Sequence, residues 1–339
     1  MRTIKTIIIF AALVPAFFLV NLQAGNDRDR MEIKKTFEGI DSVKIKTMNG
    51  SCTVKKTEGR EVTVHLFYDN GGNQFKPHIE KEGNTLQVMD RMGSSSDDSE
   101  WIITVPAKTT VEFTSVSGNF SIEGVTADIE ARTVSGDIKA VECSGKMQFN
   151  TTSGEFTLEN LIGQIELRGI SSDMNLLNLS GELDVKTSSG DIEIEKAEGK
   201  LTLKMASGDI EMKSVKGEFK VQSASGDVGL KDVTITGPST FKVASGDIEI
   251  VLSATPFHDL TLATASGDAV LDYNGNPIKG WFEFKARVKN GEIVSPFTFD
   301  ETSIEEKWGQ KYDVKSFKMN GETPKIYIHT ASGTAELRK

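Results

Sequence analysis

The sequence is poor in the residues from which catalytic and metal sites are usually built. Its 339 residues include four histidines, two cysteines and three tryptophans. His65, His78, His258 and His329 stand far apart, and none sits at the spacing of a nucleophile and its base. The strained G-x-S-x-G turn that exposes a hydrolase serine is missing. Proline is scarce at 8 while glycine reaches 31, a balance that suits many tight turns between short strands. There is no basic excess either. The net charge of −10 argues against nucleic acid and suits cations, cationic peptides or other basic partners.

Long apolar runs are confined to the start. "MRTIKTIIIFAALVPAFFLVNLQAG" has Arg2 and Lys5, then an apolar core from Ile7 to Val20, then Leu22-Gln23-Ala24 as a cleavage site. We expect a signal peptide over residues 1–24, and hence a protein that is periplasmic, cell-surface or secreted. An uncleaved anchor is the alternative, but the run is short for a span of about 20 residues and contains Pro15. No cysteine follows the core to carry a lipid anchor, and no second span occurs. The remaining chain is then not an integral membrane protein.

What the chain has in abundance is repetition. The serine of an S-G-D-like triplet falls at Ser117, Ser135, Ser153, Ser171, Ser189, Ser207 and Ser225, in steps of 18, followed by Ser245 and Ser266. Such a period is read before anything else, because it decides the fold. Gly145, Gly163, Gly181, Gly199 and Gly217 mark a half-period, so each unit reads as turn, short strand, turn, short strand. Apolar columns run through it: Ile138, Phe156, Met174, Ile192, Ile210 and Val228 on one strand, and Met147, Ile165, Leu183, Leu201 and Phe219 on the other. Alternation of apolar and polar residues marks half-buried strands. Cys143, Leu161, Leu179, Ala197 and Val215 form a corner column.

A unit with about five apolar side chains buries them only by stacking on its copies. The pattern predicts an all-β fold, a single-stranded parallel β-solenoid (β-helix) of about 18 residues per turn. Right-handed winding is expected from strand twist. An antiparallel meander is the competing arrangement, but it would not need like residues matched at every repeat. We expect irregular N-terminal rungs over residues 25–115, regular repeats over 116–271, and an aromatic-rich capping insertion with a last rung over 272–339. These would form one continuous domain, 30–339. Cys52 and Cys143 should face inward several rungs apart. At about 4.8 Å per rung this is beyond the roughly 7 Å Cα reach of a disulfide.

The motifs "NGSCTV", "ITVPAKTTVEFTSVSGNF", the serial "SGDIEI" units and the closing "TASGTAEL" together resemble a bacterial family named "putative adhesin", a domain of unknown function with β-strand repeats. Similarity to the head domains of auto-transporter adhesins is more distant. The resemblance spans roughly residues 35 to 339. It implies an exported β-helix-like protein with no established enzyme activity, in some members associated with envelope stress.

The triplets carry the candidate chemistry. Ser135, Gly136, Ser189, Gly190, Ser207, Gly208, Ser225, Gly226, Ser245 and Gly246 are expected to be structural turn residues. There, Ser and Asp side chains would bond the turn's own amides and Gly would take a positive φ. The carboxylates Asp173, Asp191, Asp209, Asp227 and Asp247 form a column whose mutual repulsion would invite Ca²⁺. No other cofactor is indicated. Calcium-binding rolls have an aspartate in both half-turns, whereas the second half-turns here read "AEGK" and "VKGE". The mixed face of Lys146, Arg168, Lys186, Lys200, Lys204, Lys220 and Lys242 with Glu166, Glu182, Asp184 and Glu218 reads as solvated.

The expected function is non-catalytic: an exported adhesin or interaction scaffold that presents a rigid face to envelope or surface components, protein or glycan. Two other readings stay open. One is a β-helix enzyme or binding module for glycans, using Trp281, Trp308 and His258. The other is a calcium-dependent adhesive surface.

Overall fold

The computed structural model describes residues 30–69, 77–90 and 99–339. The expected leader, the "DNGGNQ" segment from Asn70 onward and most of "GSSSDDSE" lie outside the described residues. The described chain is all-β, and no helix in it is long and apolar enough to cross a membrane. It divides into two compact units, Met1–Ile165 and Glu166–Lys339.

The first unit contains β1 (Arg30–Glu38), β2 (Ser42–Asn49), β3 (Ser51–Thr57), β4 (Glu61–Asp69), β5 (Pro77–Glu82), β6 (Thr85–Asp90) and β7 (Glu100–Pro106). These are followed by β8 (Thr110–Ser117), β9 (Phe120–Glu123), β10 (Ile129–Ser135), β11 (Ile138–Val141), β12 (Ser144–Ser153) and the start of β13 (Phe156–Arg168). The repeats pair in parallel, one period apart. Val111, Ile129 and Met147 are successive partners, as are Phe120, Ile138 and Phe156, and all six are buried. Like residues stack because the alternation points one set inward on every strand, and a slip of one residue would turn that set to water.

β2 and β3 form the first rung, but not at the edge. β2 lies between β6 and β8, and β3 between β7 and β9, all parallel. Antiparallel pairing is confined to the surround: β1 with β4, β4 with β7, and the β5–β6 hairpin. Cys52 and Cys143 are buried free thiols.

The second unit continues through β14 (Met174–Ser189), β15 (Ile192–Ser207), β16 (Ile210–Ser225), β17 (Val228–Ile235), β18 (Ser239–Ser245), β19 (Ile248–Leu252), β20 (Leu260–Ser266) and β21 (Ala269–Asp272). It ends with β22 (Gly280–Arg287), β23 (Gly291–Val294), β24 (Glu301–Lys307), β25 (Gln310–Met319) and β26 (Lys325–Arg338). One inward column runs Met174, Ile192, Ile210, Val228, Ile248, Ala269, Ala335 through consecutive parallel pairs. A second runs Val185, Leu203, Val221, Phe241, Leu262, Ile328, Phe284. This is β-solenoid-like stacking, not a meander.

One expectation needs correction. The half-turn separates two strands in some rungs, β11 from β12, β17 from β18 and β19 from β20, but β14, β15 and β16 each run 16 residues through it. A left-handed non-glycine residue marks the bend, at Asn178, Lys196, Ser214 and, in β17, Asp232, with φ of 54–59°. Such a residue works like a bulge, turning the strand while the ladder persists, so Gly181, Gly199 and Gly217 remain partners. The closing rung lies inside the cap. β26 sits between β20–β21 and β22–β23, parallel to both. The insertion therefore covers the last rung, with β25 and then β24 added antiparallel beyond β22.

Candidate functional site

The repeated corner is the first candidate, and its parts do different work. The serines Ser135, Ser189, Ser207, Ser225 and Ser245 are exposed at the rim. In the second unit Ser189, Ser207, Ser225 and Ser245 stand in direct register, with Ser266 and Ser332 beyond them. The glycines are required by close approach. A Cβ on Gly208 would lie 2.3 Å from the Gly190 carbonyl oxygen, and one on Gly226 would lie 1.9 Å from that of Gly208. Gly190 and Gly246 face the same obstruction, from Ser172 O and Gly226 O. Gly136 is blocked by Gly118 O at 2.2 Å without a positive φ, so the expected φ > 0 does not explain every copy.

The aspartates do not bond their own turns, as the sequence suggested. Each instead accepts the backbone N–H of the next rung's acidic residue. In the second unit Asp173, Asp191, Asp209, Asp227 and Asp247 use Oδ1 to accept from Asp191, Asp209, Asp227, Asp247 and Asp268 at 2.7–3.0 Å. Asp268 accepts from Thr334. In the first unit Asn119 accepts from Asp137, and Asp137 from Glu155. A carboxylate aimed at an amide donor holds its charge favourably, which offsets the repulsion between stacked neighbours. Among the described residues no group of three or more His, Cys, Asp or Glu side chains is placed to hold a metal ion.

A column of hydroxyls was not singled out from the sequence. Two residues before each triplet serine, Thr133, Thr151, Thr264 and Thr330 donate to the glycine carbonyl of the preceding rung. Thr187 and Ser223 donate to Ser189 O and Ser225 O of their own rung. All six are buried. The signal was present as "TVSG", "TTSG", "TSSG" and "TASG", but a threonine inside an apolar alternation reads as a neutral strand residue.

The lysine-bearing face of β14–β16 forms a groove of about 330 Å³ lined by Asp184, Lys186, Lys200, Thr202, Lys204, Glu218 and Lys220. Lys186 pairs with Asp184 at 3.2 Å and Lys200 with Glu218 at 3.5 Å. Lys204 and Lys220 add two further ammonium groups to the same groove. Lys186 stands directly beside Lys204 in the parallel register.

The aromatic-rich cap divides into two sets. Phe282 and Phe317 stack at 4.7 Å, and Phe284, Phe297 and Phe299 pack around Phe317, which closes the core. Trp281 meets Tyr327 edge-on at 5.7 Å on the outer face, near the His329–Glu283 pair at 3.0 Å. Trp308 is 87 % exposed at the β24–β25 turn, and His258 is exposed in the 253–259 loop. Trp281, Trp308 and His258 share no hydrogen bond, ion pair or ring contact among the described residues, so the suggested glycan cluster is not assembled.

Burial raises both thiols above their ordinary range. At Asp90, burial pushes the carboxyl up to about 6, partly offset by the Met48 N–H and the nearby Trp101 indole. Met48 donates to Asp90 Oδ2 at 3.3 Å, while among the described residues Asp90 Oδ1 and Trp101 Nε1 are buried without completing a hydrogen bond.

The family model described as Toastrack DUF4097 matches residues 40–212 and 196–279, more than half of the chain. No curated protein matches significantly. Two solved structures align over most of their length. A "putative lipid binding protein" from Parabacteroides distasonis ATCC 8503 is 13% identical, with 93% of this chain and 98% of that one covered and a TM-score of 0.35. A "putative cell adhesion protein" from Clostridium sporogenes ATCC 15579 is 10% identical, with 91% and 99% covered and a TM-score of 0.18. Scores this low carry no argument about function.

Proposed function

The chain belongs to the Toastrack DUF4097 family, and from that premise we propose that it is a non-catalytic binding scaffold of the cell envelope. We read its coil as a single-stranded, right-handed solenoid. We read its partners as surface protein or glycan, reached by export through the leading apolar segment.

The observation that supports this is the register of outward side chains. Two like pairs face each other directly, Glu193 beside Glu211 and Lys186 beside Lys204, among opposite pairs such as Glu195 beside Lys213 and Lys200 beside Glu218. Like charges opposed across a strand pair destabilise it. A mixed face that holds its charges in fixed register, on a backbone held by buried columns, suits recognition of an extended charged partner better than chemistry at one point.

The test is affinity capture from the organism's own envelope with the full exported chain. It is run beside a Lys186→Glu/Lys204→Glu variant and a glycan panel assayed for turnover. Capture that depends on the face, with no turnover, supports the reading. Turnover of any glycan overturns the non-catalytic part.

A further inference from the structure

β24 is an open strand edge. Among the described residues its strand partner is β25 alone, and all seven of its side chains are exposed, Ile304 at 58 %. An uncovered edge of this length presents unpaired amides and carbonyls, and proteins ordinarily blunt such edges. We propose that β24 is a homodimerisation strand, pairing antiparallel with β24 of a second copy about a two-fold axis through Ile304.

The backbone fixes which residues can pair. The Val288 N–H donates to Lys311 O, so Lys311 and, by alternation, Asp313 and Lys315 direct their peptide groups at β22. Gln310, Tyr312, Val314 and Ser316 then face β24, where their partners are Lys307, Glu305, Ser303 and Glu301. That leaves the N–H and C=O groups of Thr302, Ile304 and Glu306 pointing outward. A second β24 can therefore bond only through these three residues, and full overlap puts Ile304 opposite Ile304 of the second copy.

The charges agree with that register. Glu301 falls opposite Lys307 of the second copy, twice by symmetry, at non-hydrogen-bonded positions where side chains approach most closely. Thr302 meets Glu306 and Ser303 meets Glu305, with no like charges opposed. Glu305 is held within its own chain by Lys285 at 2.5 Å. The exposed Ile304 is covered by its own copy, as an isologous contact requires. A second copy fits this strand because the strand is complementary to itself.

One strand pair buries less than the roughly 1,200–2,000 Å² of a standard interface. The association should therefore be concentration-dependent. Sedimentation of the full exported chain over a range up to about 500 μM should show a monomer–dimer equilibrium. Ile304→Pro removes an outward N–H that β25 does not use, and should leave a folded monomer. Lys307→Glu should also give monomer, and Glu301→Lys/Lys307→Glu should restore the dimer, which a folding defect would not do. Ile304→Cys should oxidise to a covalent dimer, since opposed hydrogen-bonded residues lie about 5.5 Å apart. A wild-type chain that stays monomeric, or a dimer unaffected by Ile304→Pro and Lys307→Glu, would overturn the proposal.

Discussion

Gly169 and Ser172 share the space of one side chain. At the corners on either side of theirs in sequence the same two positions hold threonine and glycine, as in Thr151 with Gly154 and Thr187 with Gly190. A Cβ on Gly169 would lie 2.9 Å from Ser172 Cβ and 3.0 Å from its Oγ. The "RGISSD" corner is therefore an exchange in which the bulk has moved three residues along the chain. It is imperfect, because Ser172 Oγ is buried and unpartnered. Gly169→Thr alone should destabilise by ~1–3 kcal/mol through overpacking. Adding Ser172→Gly should recover that loss and restore the hydroxyl bond of the other corners. A double-mutant cycle by chemical denaturation should give a coupling above about 1 kcal/mol. Additive effects would show that the two side chains do not compete.

The aspartate ladder makes a different demand on chemistry. Asp209 Oδ1 accepts the Asp227 N–H at 2.8 Å, and the Asp209 N–H is bound in turn by Asp191. Asp209→Asn keeps an acceptor oxygen and should change stability by less than about 0.5 kcal/mol. Asp209→Ala removes it and should cost about 1–2 kcal/mol, the range for a hydrogen bond to a charged group at an exposed site. Thermal melts of both variants check this. Millimolar Ca²⁺ should leave the wild-type melting temperature unchanged, because the carboxylates already face amide donors.

Two glycines of the second unit differ in both close approach and turn geometry. Gly208 combines a φ of 124° with a carbonyl 2.3 Å from where its Cβ would be. Gly208→Ala should lose at least ~3 kcal/mol or prevent folding. Gly229 has nothing within 4 Å of a built Cβ and an ordinary φ. Gly229→Ala should be neutral or gain about 0.4–1 kcal/mol by restricting the unfolded chain. Denaturation midpoints distinguish the two.

Much of this was legible in advance, for physical reasons. The 18-residue period and the inward columns depend on side-chain alternation, which is local, so residues from Ile138 to Val228 could be placed by sequence alone. The bonds of Asp209 and Thr151 could not. Each links one rung to the next, and a serine, threonine or aspartate beside a glycine looks the same whether it bonds its own turn or a neighbour's. The position of β26 was hidden for a related reason. "TASGTAEL" announces a rung, but nothing in its residues says that β22 will lie on its far side.

Asp90 shows how a desolvated carboxyl without a full set of partners among the described residues should make stability depend on pH. Its folded pKa of about 6 lies above the ordinary unfolded value near 3.9. Between those values the folded state binds more protons than the unfolded one, so this group lowers stability as pH rises from 4 to 6. Above pH 6 the full penalty is present, at most about 3 kcal/mol for a shift of some two units. Below pH 4 the carboxyl is neutral in both states and the penalty vanishes. Asp90→Asn removes the ionisation while keeping an acceptor for the Met48 N–H, which bonds Oδ2 at 3.3 Å. The variant should therefore melt higher than wild type at pH 7.5 and equal to it at pH 4. Taking the difference between the two proteins cancels every other titrating group. A difference that is constant with pH would mean that Asp90 is not the group responsible, and one that grows toward pH 4 would reverse the sign of its role.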